Sequence, residues 1–189
     1  MGTRTAVTTV RAALEIAIKN VLDASDTASA KTSIGDTVSQ VFKTGTTADK
    51  ADRVFCRKAL TVDEAGSPTS IDLFAFGSQN MGAGAGLDGL GQALSFVEIV
   101  AVMIKNYSTS AGNLIVGGEG TAAAWNSLFA SQTSAPDDSA LVIMPDGLFV
   151  ICAPPDPAYV VANTTNHLLG IDSSAGVATY DIYIIGRSA

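Results

Sequence analysis

The chain has 189 residues, which suits one domain with a sizeable core, and it carries a formal net charge of −7 at pH 7. This acidic balance, with no strong basic patch, argues against nucleic acid as a partner. We find no apolar signal-peptide region and no run of about 20 apolar residues, so neither a signal peptide nor a membrane partner is expected. Only 15% of the residues are charged, which fits either a surface covered by other subunits or a high content of small residues.

The first 22 residues alternate between apolar and polar side chains. Val10, Leu14, Ile16 and Ile18 fall at positions of equal parity, and Arg11, Glu15 and Lys19 fall between them. This two-residue period favours a β-strand, although the content of Ala, Leu, Glu and Lys leaves a helix as an alternative. We predict a strand that pairs with its own sheet or with a neighbour's.

Two polar loops, residues 23–31 and 44–50, follow this strand. Residues 34–47 are mixed in pattern, and we expect one helical turn there. The predicted domain division is therefore an N-terminal arm or extra strand in residues 1–50 and a β-sandwich domain in residues 51–189.

The stretch Phe96–Ile104 is the most apolar part of the chain, with Glu98 as its one polar residue. Its many β-branched residues fit a pleated strand better than a helix. Because it has no polar side, it is predicted to be a central strand with both faces covered. Two further strands are predicted at 53–62 and 71–76, the second with Ile71, Leu73 and Ala75 on one face.

Turn residues divide the second half of the chain. A polar stretch at 107–113 separates the central strand from Leu114–Val116, and Pro145–Gly147 separates two apolar runs, so two hairpins are predicted. Residues 122–129 are expected to form a short helix or a buried crossover, and residues 177–185 a closing strand. Strands at this spacing predict an all-β fold, an antiparallel β-sandwich that is jelly-roll-like.

No set of residues indicates catalysis. His167 is the one histidine and lies in a loop without a nucleophile motif nearby. Cys56 and Cys152 lie in apolar strands, where free cysteines behave as buried hydrophobic residues. Trp125 is expected to be a core anchor, with a sugar-binding surface tryptophan as the alternative. We therefore expect no enzyme activity.

Two other motifs are too weak to support a ligand. Gly84–Gly89 matches GxGxxG, but it has neither the preceding strand nor the following helix of a dinucleotide site. The acid pairs Asp63-Glu64 and Asp137-Asp138 lack calcium-loop spacing. We therefore expect no cofactor and no metal.

Several short motifs between residues 53 and 187 resemble small virion structural proteins of tailed bacteriophages. They are Ser70–Leu73, Val102–Asn106, Leu114–Gly118, Pro145–Gly147 and Tyr180–Gly186. The resemblance implies a β-sandwich in a phage virion, with the major capsid protein or other virion proteins as partners.

The leading functional hypothesis is a capsid decoration (cement) protein that binds across capsomer junctions. The alternating N-terminal strand predicts a homo-oligomer, taken as a trimer, with Val10, Leu14, Ile16 and Ile18 at an assembly contact. The alternative is a tail, spike or host-recognition module that binds cell-surface glycans. That alternative requires exposed aromatic side chains, for which Trp125 and four tyrosines are available.

Overall fold

The computed structural model describes residues 9–21, 31–63, 69–76, 94–109, 112–117, 123–128, 140–153 and 155–188, with the backbone alone for 9–21, 31–41 and 44. Within these ranges the chain is all-β and contains no helix. The strands are β1 (Thr9–Val21), β2 (Lys31–Thr44), β3 (Lys50–Ala51), β4 (Arg53–Asp63), β5 (Thr69–Asp72), β6 (Glu98–Asn106), β7 (Leu114–Gly117), β8 (Ala140–Ile143), β9 (Leu148–Cys152), β10 (Tyr159–Val160), β11 (Leu168–Ser173) and β12 (Val177–Arg187).

The strands form three sheets. A five-stranded antiparallel sheet has the order β10-β6-β12-β4, and β9 also pairs with β6. A four-stranded antiparallel sheet has the order β5-β11-β7-β8, and β1, β2 and β3 form the third sheet. The predicted central strand is confirmed, because β6 is hydrogen-bonded to β12 on one side and to β9 and β10 on the other.

The main core lies between the five-stranded and the four-stranded sheets. One apolar cluster includes Ile104 and Ile182 from the first sheet and Val116 and Ile171 from the second, with Trp125 beside them. Since both sheets contribute one face each, the fold is consistent with a β-sandwich. The order of the strands does not establish the jelly-roll-like topology.

The other face of the five-stranded sheet, here called the outer face, is partly covered as well. In β6 the pairing with β12 shifts between Ile185 and Gly186, where Ile185 pairs with Ala101 and Gly186 with Ile99. This bulge places the extra residue Val100 beside Ala101 in a second apolar cluster that also contains Ile185. The continuous apolar run of β6 therefore serves two cores, as its composition predicted.

Both predicted hairpins are wrong. β6 and β7 lie in different sheets, and so do β8 and β9, so both polar turns carry the chain from one sheet of the sandwich to the other. Asn106, which is fully buried, joins the two crossings. Its Nδ2 donates to Gly112 O and Ile143 O at 3.0 Å, and its backbone N donates to Gly147 O at 3.0 Å. The turns exist, but tertiary packing decides which sheet receives the next strand.

Three local expectations are corrected, and the alternative left open for residues 122–129 is decided. Residues 34–44 belong to strand β2 and form no helical turn, since pairing with β1 extends them. Residues 123–128 form no helix; Trp125 is buried there as a crossover, which confirms its role as a core anchor. Phe76, and not Ala75, is buried with Ile71 and Leu73, because β5 ends at Asp72. Cys56 is exposed: its neighbour Phe55 faces the core, so Cys56 lies on the outer face.

Three other expectations fall wholly or partly outside the described residues. The glycine-rich segment 84–89 and the pair Asp137-Asp138 lie outside them, and so do residues 23–30 of the predicted first loop. Cys56 and Cys152 are both free thiols, as predicted. The predicted domain boundary at residue 50 falls within β3.

Candidate functional site

The long ribbon of β1 and β2, here called the arm, is the feature most distinct from the sandwich. Its two strands pair antiparallel over thirteen positions, from Thr9↔Lys43 to Val21↔Lys31. At about 3.4 Å per residue, such a ribbon is about 44 Å long. The prediction of a strand over residues 10–18 is confirmed, and the four residues of the predicted assembly contact all lie in the arm.

The register makes the arm amphipathic. Residues directly opposite in an antiparallel pair lie on the same face of the ribbon. The face that contains the predicted contact positions has eight apolar residues out of twelve, and the four exceptions are polar. Its pairs are Val10↔Phe42, Ala12↔Gln40, Leu14↔Val38, Ile16↔Asp36, Ile18↔Ile34 and Asn20↔Thr32. The opposite face carries Arg11, Glu15 and Lys19.

Phe42 anchors the arm to the sandwich. Its side chain is fully buried on the outer face of the five-stranded sheet, against Ala51, Val100, Ala101 and Ile185. The adjacent end of β2 pairs in parallel with β3, which places Lys43 beside Lys50. The base of the arm is therefore part of a packed core, although sequence analysis assigned Phe42 to a helical turn.

Arg187 is a buried charged residue that also contacts the base of the arm. It is 1% exposed, forms a salt bridge with Glu98, and donates to Lys50 O and Pro155 O at 3.0 Å. These partners lie in three different segments of the chain. A buried guanidinium with this many acceptors fixes the position of β3 relative to β6 and β12.

Asp52 forms a second polar contact next to Arg187. Its Oδ1 accepts a hydrogen bond from Ser188 N at 2.8 Å, and its Oδ2 accepts one from Ser188 Oγ at 2.6 Å. Arg53 completes the contact with a salt bridge to Asp52 at 3.0 Å. Ser188 thus fixes the position of Asp52, which lies between β3 and β4 in the segment that follows the arm.

Exposed apolar side chains gather at the other end of the sandwich. Tyr107, Met144, Leu148 and Val177 are between 42% and 61% exposed. They share one end because Leu148 pairs with Lys105 near the end of β6, and Tyr107 N donates to Thr179 O near the start of β12. We call these four residues the distal patch, since Arg187 at the arm base lies at the opposite end of β12.

Charged and aromatic groups surround the distal patch on the outer face. Lys105 Nζ lies 4.4 Å from the centre of the Tyr107 ring, within cation–π range. Desolvation and the charge of Asp181 raise the pKa of Tyr107. A hydrogen bond with Tyr183, and its charge, raise the pKa of Lys58. This surface is therefore a mixture of apolar and aromatic groups with charges of both signs, including the exposed acids Asp63 and Asp146.

The remaining candidate residues are not brought together into a reactive site. His167 is half-buried, and its backbone N donates to Ala123 O at 2.9 Å. Trp125 is 2% exposed and its Nε1 donates to Val160 O, so it offers no surface for a sugar. Among the described residues, no three metal-ligating side chains cluster and no helix is suited to cross a membrane.

Sequence reasoning missed β2, the arm base and the distal patch. The sequence of β2 gave a weak signal, because Ile34, Val38 and Phe42 recur every fourth residue, a spacing that suits a helix as well as a strand. The patch could not be found this way, since its members are distant in sequence. Comparisons with protein-family models, curated proteins and solved structures found no match.

Proposed function

We propose that this protein is a non-enzymatic structural protein of a phage virion, a capsid decoration protein that stabilises the head across capsomer junctions. One observation carries the proposal: a thirteen-pair ribbon with one apolar face is held to a closed sandwich by a buried base. The motifs that resemble small virion proteins of tailed phages support a phage virion as the particle to which this protein belongs.

The arm suits a structural role for a physical reason. A two-stranded ribbon is at best marginally stable alone in water, and an apolar face gains stability when another surface covers it. Several arms that bind at once multiply their affinities, which suits a protein that bridges junctions on a shell. In this role the sandwich supplies a rigid body and the arm supplies the contact.

The test is the location and occupancy of the protein on particles. Cryo-electron microscopy of native particles should show one density per junction on the head, with the arm in contact with a neighbouring subunit. Rebinding to depleted particles should fall at least about tenfold for Ile16→Asp, which places a charge on the apolar face. Ala17→Asp, on the opposite face, should bind normally. Density on the tail, or none on the particle, would refute the proposal.

The glycan-binding alternative has less support. Its best residue, Trp125, is buried, and Tyr107, at 42%, is the only exposed tyrosine among the described residues. A shallow sugar site normally needs aromatic rings that a sugar face can reach. Glycan-array binding that is lost in Tyr107→Ala would favour this alternative over decoration.

A further inference from the structure

We infer that a bulge in β4 prevents copies of this chain from pairing edge to edge through their sandwiches. The bulge consists of Lys58 and Ala59 opposite Asp181, and we call it the edge bulge. The partner that it excludes is the β4 strand of a second copy. The inference concerns a surface that the proposed function does not use, so it stands independently of that proposal.

β4 is the long edge strand of the sandwich. It lies at the end of the five-stranded sheet, and among the described strands it pairs with β12 alone. It has eleven residues, whereas the other edge strands of the two sandwich sheets, β5, β8, β9 and β10, have between two and five. A long edge offers a row of backbone N–H and C=O groups to a second strand, and identical copies carry identical edges.

The β4 edge can be reached by solvent. With the whole chain present, five residues of the strand are exposed: Cys56, Lys58, Ala59, Thr61 and Asp63. A second copy could therefore approach this strand if the backbone were regular.

The pairing of β4 with β12 is broken at the edge bulge. Tyr180 pairs with Leu60 and Ile182 pairs with Arg57, so two residues of β4 lie opposite one residue of β12. Ala59 has a φ of 53°, in the left-handed region that a residue with a side chain rarely adopts. An extra residue of this kind bends the strand, so a straight second strand cannot pair along the whole of β4.

Asp181 fixes the edge bulge in place. Its side chain is buried, and its Oδ1 accepts a hydrogen bond from Ala59 N at 2.8 Å. This bond satisfies an amide that has no partner position in the ladder, and it helps to offset the strained backbone of Ala59. The bulge is therefore stabilised by a specific side chain of the neighbouring strand.

Lys58 places a charge at the same point of the edge. Its side chain is exposed, and its Nζ lies 5.9 Å from the centre of the Tyr183 ring. The exposed acid of the strand, Asp63, is its last residue and does not lie beside the bulge. A second strand that approached the bulge would have to displace water from the Lys58 ammonium group, which opposes pairing.

The arm provides a contrast within the same chain. β1 is also a long edge strand, and its pairing with β2 runs over thirteen positions without a register shift. The arm therefore has a regular edge, while the long edge of the sandwich is interrupted. Contacts through the arm and contacts through β4 are thus separate questions.

Deletion of Ala59 from the full chain tests the inference. It leaves Lys58 alone opposite Asp181 and keeps the pairs on either side, so the edge of β4 becomes continuous. In sedimentation velocity the deletion variant should self-associate with a dissociation constant at least about tenfold lower than that of the wild type. Ala59→Gly is the matched control and should associate as the wild type does, because glycine adopts the left-handed region without strain and keeps the bulge.

Association through the arm is common to all three proteins, so the difference between them isolates β4. Circular dichroism checks that each is folded, and a folded deletion variant that associates no more than the wild type overturns the inference. Amide hydrogen exchange of the wild type decides the matter if the deletion variant does not fold. The β4 amides that point away from β12 should exchange equally fast in dilute and concentrated protein. Slower exchange at high concentration would show that copies already pair through β4 and would overturn the inference.

Discussion

The sandwich and the arm are both antiparallel β-structure, but they are supported differently. In the sandwich, the core residues of β6 and β12 pack against a second sheet, so one cluster holds side chains from nearly every strand. In the arm, β1 and β2 pair only with each other until the ribbon reaches Phe42 and β3. The same alternating pattern therefore predicts a strand in both places, while stability depends on what covers the apolar face.

A charge in the sandwich core should have the largest effect. Val102 is 2% exposed and lies on the core-facing side of the central strand. Val102→Asp buries an unpaired carboxylate and should cost at least about 4 kcal/mol, enough to abolish folding. Thermal unfolding followed by circular dichroism measures this. Val102→Ala should stay folded, and a cooperative, unshifted transition for Val102→Asp would show that this strand is not core.

A mutation at the arm base should have the next largest effect on the free energy of unfolding. Arg187→Ala removes the ionic partner of Glu98 and one hydrogen-bond donor from each of two backbone carbonyl groups. Loss of one partner of such a buried pair should cost about 3 kcal/mol. Chemical denaturation gives this value, and limited proteolysis near Lys50 should become faster. Arg53→Ala is the comparison, since its salt bridge is more exposed and should contribute less. Equal losses in both variants would contradict a special role for Arg187.

Loss of the hydrogen bonds of Asn106, which connect the two crossings between the sheets, should cost slightly less stability than loss of Arg187. Asn106→Ala removes two donated hydrogen bonds and one accepted from Ser108 N, all of them buried. The expected loss is about 2 kcal/mol in the free energy of unfolding. Asn106→Asp separates the two roles of the side chain, because it keeps the acceptor and replaces the donor. If Asn106→Asp is as stable as the wild type, the hydrogen bonds that Asn106 donates to Gly112 and Ile143 do not stabilise the two crossings.

Alkaline pH should weaken the sandwich through Tyr180. Burial raises the pKa of this phenol above its ordinary value of 10.0. Above pH 10 the unfolded chain loses the proton while the folded chain keeps it, so the free energy of unfolding falls by up to about 1.4 kcal/mol per pH unit. Melting temperatures at pH 9 and 11 should fall less in Tyr180→Phe than in the wild type. Tyr183→Phe, on the outer face, serves as the control, and identical slopes for all three proteins would contradict this account.

A charge in the arm should have the smallest effect on the isolated monomer. Leu14 lies in the arm, which adds little to the sandwich core. Leu14→Asp should therefore change the free energy of unfolding by less than about 0.5 kcal/mol. Denaturant titration of dilute protein measures the change. A loss comparable to that of Val102→Asp would mean that the arm and the sandwich fold as one unit.

The sequence predicted most of the strands and few of their connections. β1 and β6 were predicted correctly because alternation and β-branched content are local properties of each strand. The crossings after Asn106 and Met144 were mistaken for hairpins, because turn residues specify a reversal and not the sheet that receives the next strand. The distal patch was missed because Tyr107 and Val177 come together only through the pairing of β6 with β12.

Amide hydrogen exchange of the arm, in dilute and in concentrated protein, tests the central claim most directly. If the arm is stable only when its apolar face is covered, β1 and β2 should exchange rapidly in the monomer. Their exchange should slow by roughly 100-fold in the oligomer, while that of β6 stays slow in both. Equal protection of β1 and β2 at every concentration would show that the arm is stable alone, and the account of it as an assembly element would be wrong.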